Sequence, residues 1–166
     1  MAKTNLQLSL DRPAARIAPA RHGRAQTRPH LVAAAPVCAT QEPYDHFVVK
    51  NGVRCAGVHL IVDLCDATRL DDIDHIESAL RRCVDAAGAT LLHIHLHHFE
   101  PNGGVTGVAV LAESHISIHT WPERGYAAID VFMCGKAKPE NCVPVLREAF
   151  APRRTDVNDI LRGQAA

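Results

Sequence analysis

The sequence predicts an α+β fold, a two-layer sandwich in which a mainly antiparallel sheet carries helices on one face. Three observations lead there. Apolar residues recur at every second position in several short runs, the period of a half-buried strand. Two longer runs space them three or four apart, the stripe of an amphipathic helix. The links between consecutive strand-like runs are short, which favours antiparallel neighbours over crossovers.

The elements follow in order from about Val48. Val58, Leu60, Val62 and Leu64 alternate as a strand. Leu70, Ile73, Ile76, Leu80, Val84 and Ala87 form one helical stripe. Asp71, Asp72 and Asp74 near its start and Arg81 and Arg82 later suit the helix dipole, and Gly88 is a natural stop. Residues 90–99 read as a strand with Leu92, Ile94 and Leu96 on one face and His93, His95 and His97 on the other. Pro101-Asn102-Gly103-Gly104 marks a turn, Val105 to Ala112 a third strand and His115 to Thr120 a fourth. After the turn Trp121 to Gly125, a strand from Tyr126 to Cys134 offers Ala128, Val131 and Phe132 for packing. A helix is expected from Asn141, as its cap, to Phe150, with Pro144 tolerated in the first turn. A short strand near Val157 to Leu161 closes the domain. Helices on one sheet face leave the other bare, and a second copy of the chain is expected to cover it, giving a homodimer.

Residues 1–45 differ from this pattern. They hold Arg12, Arg16, Arg21, Arg24 and Arg28 with several prolines, many alanines and few acids, and no apolar period persists. The expectation is a disordered tail ahead of a folded domain spanning 46–166. An Arg-rich, acid-poor composition also has the look of a targeting segment.

Composition narrows the function. Lys and Arg total 18 and Asp and Glu total 18, so no general pull toward nucleic acid or an anionic membrane is expected. No apolar run is long enough for a bilayer, and no compact apolar block at the N-terminus suggests secretion. None of the six cysteines sits in a C-x-x-C pair. Cys55, Cys65, Cys83 and Cys142 are expected to be reduced, structural thiols in a cytoplasmic protein. The histidines at 93, 95, 97 and 98 invite a metal reading. They lack carboxylate or cysteine partners at a convincing spacing, and no metal is expected.

The chemistry concentrates in Leu111-Ala112-Glu113-Ser114-His115-Ile116-Ser117-Ile118-His119-Thr120-Trp121-Pro122-Glu123, continuing through Gly125 to Gly135, with Gly104-Val105-Thr106-Gly107 upstream. This stretch closely resembles the prokaryotic S-adenosylmethionine decarboxylase proenzymes, which depend on a pyruvoyl group. The resemblance extends more weakly from His59 to the C-terminus and excludes the tail. Amino-acid decarboxylation needs an electron sink for the pair left on the α-carbon. A pyridoxal enzyme needs a lysine and a phosphate cradle; after Lys50 the lysines are Lys136 and Lys138, with no phosphate loop beside them. A pyruvoyl group made from the chain's own serine is the alternative sink, its ketone forming a Schiff base with the substrate amine.

The resemblance implies cleavage between Glu113 and Ser114. Ser114 is the implied precursor of the pyruvoyl group, through an ester and a β-elimination. His119 matches the processing histidine, which removes the Ser114 α-proton. Thr106 stands where many relatives carry serine; it keeps the hydroxyl and adds a methyl that is expected to slow processing. Cys134 matches the catalytic cysteine that returns a proton to the substrate. Phe99, if one extra residue is allowed in the following turn, matches the aromatic that stacks on adenine. Glu123 matches the acid on the ribose hydroxyls, and Trp121 stands beside it as a candidate pocket wall. The implied reaction is decarboxylation of S-adenosylmethionine to an aminopropyl donor for spermidine synthesis. An alternative keeps the pyruvoyl chemistry and takes ornithine or arginine. A third reading, a non-catalytic partner of an active relative, predicts an uncut chain.

Overall fold

The structure, a computed structural model, describes residues 46–164. The expected tail and the start of the chain lie outside the described residues. The elements are β1 (Val48–Lys50), β2 (Val53–Cys55), β3 (Gly57–Cys65), α1 (Ile73–Ala87), β4 (Leu91–His98), β5 (Val105–Leu111), β6 (Ser114–Trp121), β7 (Tyr126–Met133), α2 (Cys142–Phe150) and β8 (Arg154–Arg162), with 3-10 turns at Pro122–Arg124 and Pro139–Asn141. Strands β3 to β8 form one antiparallel sheet in the order β4-β5-β6-β7-β3-β8; β1 and β2 pair separately. This is the α+β sandwich that the apolar spacing predicts.

Alternation fixes the core. Val58, Leu60, Val62 and Leu64 of β3 and Ile116 and Ile118 of β6 are buried beneath Ile76, Leu80 and Val84 of α1 and Leu146 and Phe150 of α2. Burying each large side chain contributes about 1.5–3 kcal/mol, which is what holds helices and sheet together. Asp72 caps α1 by accepting from the His75 backbone N–H at 3.0 Å, and Gly88 ends the helix in the left-handed conformation. Leu70 is buried just ahead of this cap rather than within the helix.

Several expectations need correction. On β7 the buried residues are Ala127, Ile129, Val131 and Met133. Ala128 and Phe132, expected in the core, face the other way: an apolar residue in a two-period run counts for the core only in phase with its neighbours. Leu92 does not join Ile94 and Leu96, because a bulge between Leu91 and His93 pushes it out to 64% exposure. Asn141 holds the cap position of α2 as expected, but its side chain makes no capping hydrogen bond; its Nδ2 donates to the Ala86 carbonyl at 2.9 Å and ties the turn before α2 to the end of α1. β6 begins at Ser114 rather than His115, and β8 is nine residues long. The hairpin β1–β2, which the apolar spacing does not predict, turns on Asn51-Gly52, both at positive φ.

The face away from the helices carries His93, His95 and His97 of β4, Thr106, Val108 and Val110 of β5, His115, Ser117 and His119 of β6, and Ala128, Asp130 and Phe132 of β7, as the register requires. It is mixed rather than purely apolar. At its centre Asp130 meets His59 Nε2 at 3.1 Å and accepts from the Ser117 hydroxyl at 3.2 Å. Arg162 lies 3.2 Å from His59 Nδ1. A guanidinium only donates, so His59 accepts at Nδ1 and donates from Nε2 to Asp130.

Candidate active site

Two groups of residues form at opposite ends of β6. The first surrounds the Glu113–Ser114 bond. Leu111 closes β5 and Ser114 opens β6, so Ala112 and Glu113 make a two-residue turn between paired strands. Thr90 anchors this turn. Its carbonyl accepts from the Ala112 N–H at 3.0 Å, and its own N–H donates to the Glu113 carboxylate at 2.9 Å. The tightness of the turn drives Ser114 to φ +146°, a region that residues with a side chain rarely enter. Such a conformation costs about 1–3 kcal/mol and persists because the ladders on both sides hold it.

Ser114 also pairs with Met133 at the end of β7, which brings Cys134 alongside Glu113. The Cys134 N–H donates to the Glu113 carbonyl oxygen at 3.1 Å. A donor on that oxygen polarises the carbonyl and stabilises negative charge developing on it. The Ser114 hydroxyl lies 3.0 Å from His115 Nδ1. Burial, and secondarily the negative charge of Glu113, push the Cys134 thiol above its ordinary value, so it holds its proton at neutral pH.

The second group sits where β5 and β6 pair at their other ends. Thr106 is opposite His119, and its hydroxyl lies 2.6 Å from His119 Nδ1. Beyond it the His119, Trp121 and Tyr126 rings follow one another, at 6.5 Å and then 5.3 Å between centroids. The Tyr126 hydroxyl donates to Asp63 at 2.6 Å, and this bond pushes the phenol up to about 12. Phe99, 46% exposed, packs edge-on to His97. Trp121 is 40% exposed, and Glu123 is exposed on the turn that follows it.

The structure therefore brings Glu113, Ser114 and Cys134 together and gathers Thr106, His119 and Trp121 elsewhere. Ser114 and His119 are five residues apart on one strand, roughly 17 Å. His115 and Thr90 belong to the first group and were not singled out from the sequence. His115 had a visible signal, as an imidazole directly after the serine. Thr90 had none, because its role depends on the β5–β6 turn folding back onto the start of β4. Among the described residues, no three His, Cys, Asp or Glu side chains are placed to share a metal ion.

Comparison with other proteins places the chain in a family. The family model for S-adenosylmethionine decarboxylase matches residues 58–163. The chain belongs to the pyruvoyl-dependent S-adenosylmethionine decarboxylase family. It is 47% identical to an S-adenosylmethionine decarboxylase proenzyme of Thermomicrobium roseum, over 67% of this chain and 97% of that one. It is 54% identical to the proenzyme of the same name from Methanococcus maripaludis, over 64% of this chain and 89% of that one. A crystal structure of the adenosylmethionine decarboxylase from Aquifex aeolicus superposes with a TM-score of 0.60 at 36% identity, covering 66% of this chain and 92% of that one. The matched span holds both groups of site residues, and the tail lies outside the family model.

Proposed function

We propose that this chain is a self-processing decarboxylase of S-adenosylmethionine. It cuts itself between Glu113 and Ser114 and works in the cytoplasm as a homodimer. The observation that carries this reading is the Glu113–Ser114 bond itself: a strained serine, its preceding carbonyl held by the Cys134 N–H, and its hydroxyl against an imidazole. The residues fit the making of a pyruvoyl group from Ser114. In the finished enzyme that group supplies the electron sink for decarboxylation. Cys134, beside it, holds the proton that the substrate α-carbon needs once carbon dioxide has left, and its raised thiol value keeps that proton in place.

His119 takes the Ser114 α-proton in the elimination step. In the tautomer whose Nδ1–H donates to Thr106, Nε2 keeps its lone pair for that proton. Because His119 and Ser114 of one chain are too far apart, the reading requires a second copy. A two-fold axis crossing β6 near Ser117, with the open sheet faces opposed, swaps the strand's ends. Ser114 of each protomer then meets His119 of the partner subunit. Trp121, Phe99 and Glu123 lie at the His119 end, and in this arrangement they line the pocket for adenine and ribose across the interface.

Intact mass under denaturing conditions tests the processing: two fragments split at 113/114 are expected, the smaller with a blocked N-terminus. Carbon dioxide release from carboxyl-labelled S-adenosylmethionine, ornithine and arginine tests the substrate. Activity on either amino acid without activity on S-adenosylmethionine sinks the substrate assignment and leaves the processing intact.

A further inference from the structure

We propose that His115 is the catalytic base for the first step of self-cleavage, taking the hydroxyl proton of Ser114 as its oxygen attacks the Glu113 carbonyl. This rests on the self-processing reading and adds to it a second histidine with a separate proton to move.

The making of the pyruvoyl group requires two protons to leave Ser114, one from the hydroxyl and one from the α-carbon. His119 is engaged with Thr106 at the far end of β6. The imidazole in contact with the hydroxyl is His115, at 3.0 Å from Nδ1. That is within the reach of direct proton transfer. The His115 ring is also held in place. β6 pairing sets it beside Phe132, whose ring meets it edge-on at 6.0 Å, and opposite Val110 on the other side. Across the bond to be broken, the Cys134 N–H is on the carbonyl oxygen, and the Glu113 carboxylate is drawn away to Thr90, where it does not compete for the hydroxyl. Base, nucleophile and oxyanion donor thus converge on one peptide bond.

The step balances on these groups alone. Ser114 Oγ gives its proton to His115 Nδ1 and forms a bond to the Glu113 carbonyl carbon, and negative charge moves onto the oxygen held by Cys134. The carbon–nitrogen bond then breaks, and the protonated imidazole delivers its proton to the departing Ser114 nitrogen. An ester and a free amine result, and His115 is neutral again. The later α-proton transfer is the task of His119.

The two histidines are distinguishable by where processing stops. Wild-type chain and the variants His115→Ala, His115→Asn and His119→Ala are made by cell-free translation, followed in time by denaturing mass spectrometry, and sampled with and without neutral hydroxylamine, which splits esters and spares ordinary amides. Both His115 variants are expected to stay full-length and resistant to hydroxylamine, with cleavage slowed by about 10²–10⁴-fold. Added imidazole is expected to restart cleavage of His115→Ala. His119→Ala is expected to split at 113/114 with hydroxylamine, because its ester has formed and waits for elimination. His115→Asn keeps an acceptor where Nδ1 lies but accepts no proton, so it separates basicity from positioning even if the alanine variant folds poorly. Cleavage of the asparagine variant at the wild-type rate, or a hydroxylamine-sensitive ester in either His115 variant, overturns the proposal. A wild-type chain that never cuts overturns the self-processing reading instead.

Discussion

The two ends of β6 hold the same pair of functional groups, a hydroxyl and an imidazole, in opposite settings. At one end Ser114 and His115 are neighbours in sequence, half-buried, with the backbone forced to φ +146° and the preceding carbonyl already carrying a hydrogen bond. At the other end Thr106 and His119 meet across two regularly paired strands on the open face. The difference teaches that a hydroxyl beside an imidazole does not make a self-cleaving bond. What singles out Ser114 for the proposed cleavage is the turn, which strains its backbone while the preceding carbonyl accepts from the Cys134 N–H. Thr106, in an unstrained ladder, has a hydroxyl that can assist but no bond poised to break.

The largest expected effect comes from removing the asymmetry outright. Ser114→Ala should abolish both cleavage and carbon dioxide release, seen as one full-length mass, whereas Thr106→Ala should only slow cleavage. Next, His119→Ala should slow processing by about 10²–10⁴-fold. Co-refolding it with Ser114→Ala chains should restore cleavage of the His119→Ala chain alone, because only that chain offers a serine to an intact His119. No recovery in the mixture would break the exchange of ends between protomers. Thr120→Val tests the structural support next to His119. The buried Thr120 hydroxyl donates to the Leu70 carbonyl and accepts from the Val105 N–H, each at 2.7 Å, so the loss should cost about 1–3 kcal/mol in chemical denaturation. Thr106→Ser should speed processing by less than tenfold, under about 1.4 kcal/mol of barrier, since it removes one methyl and keeps the hydroxyl. The smallest effect is on pH dependence. Because the Cys134 thiol is raised, its proton is present through neutral pH and leaves only as pH climbs past the ordinary thiol value of about 8.5. The alkaline fall in carbon dioxide release should therefore begin above that value, and Cys134→Ser should remove that thiol-dependent limb.

Much of this was legible in the sequence, for identifiable reasons. β3, α1 and β6 show clean periods, and their buried faces are the ones the spacing marks. β7 was misphased because Phe132 is large and apolar, yet its neighbours Val131 and Met133 carry the buried register. Leu92 was misplaced because a bulge shifts phase without leaving a compositional mark. The site divides in the same way. Ser114, His119 and Cys134 stood out through family resemblance, but that Cys134 lies beside Glu113 depends on the pairing of β6 with β7. The hold of Thr90 on Glu113 spans 23 residues and exists only once β4 lies beside β5.

The strand order has a consequence for the proposed cut. The sheet runs β4-β5-β6-β7-β3-β8, and the proposed scission at 113/114 would leave β3, β4 and β5 on one polypeptide and β6, β7 and β8 on the other. The β6–β7 hairpin is then inserted between two strands of the upstream piece, while β3 is inserted between two of the downstream piece. Each helix also goes to a different piece, with a shared core between them. On the proposed cleavage, neither piece could depart without dismantling the sheet. The uncut precursor can assemble its protomer as a first-order process. A cut protein, once denatured, would have to find its other half by collision, so its recovery should depend on concentration where that protomer-forming step in the precursor does not. The proposed maturation would thereby make the native state depend on the chain having been folded before it was cut.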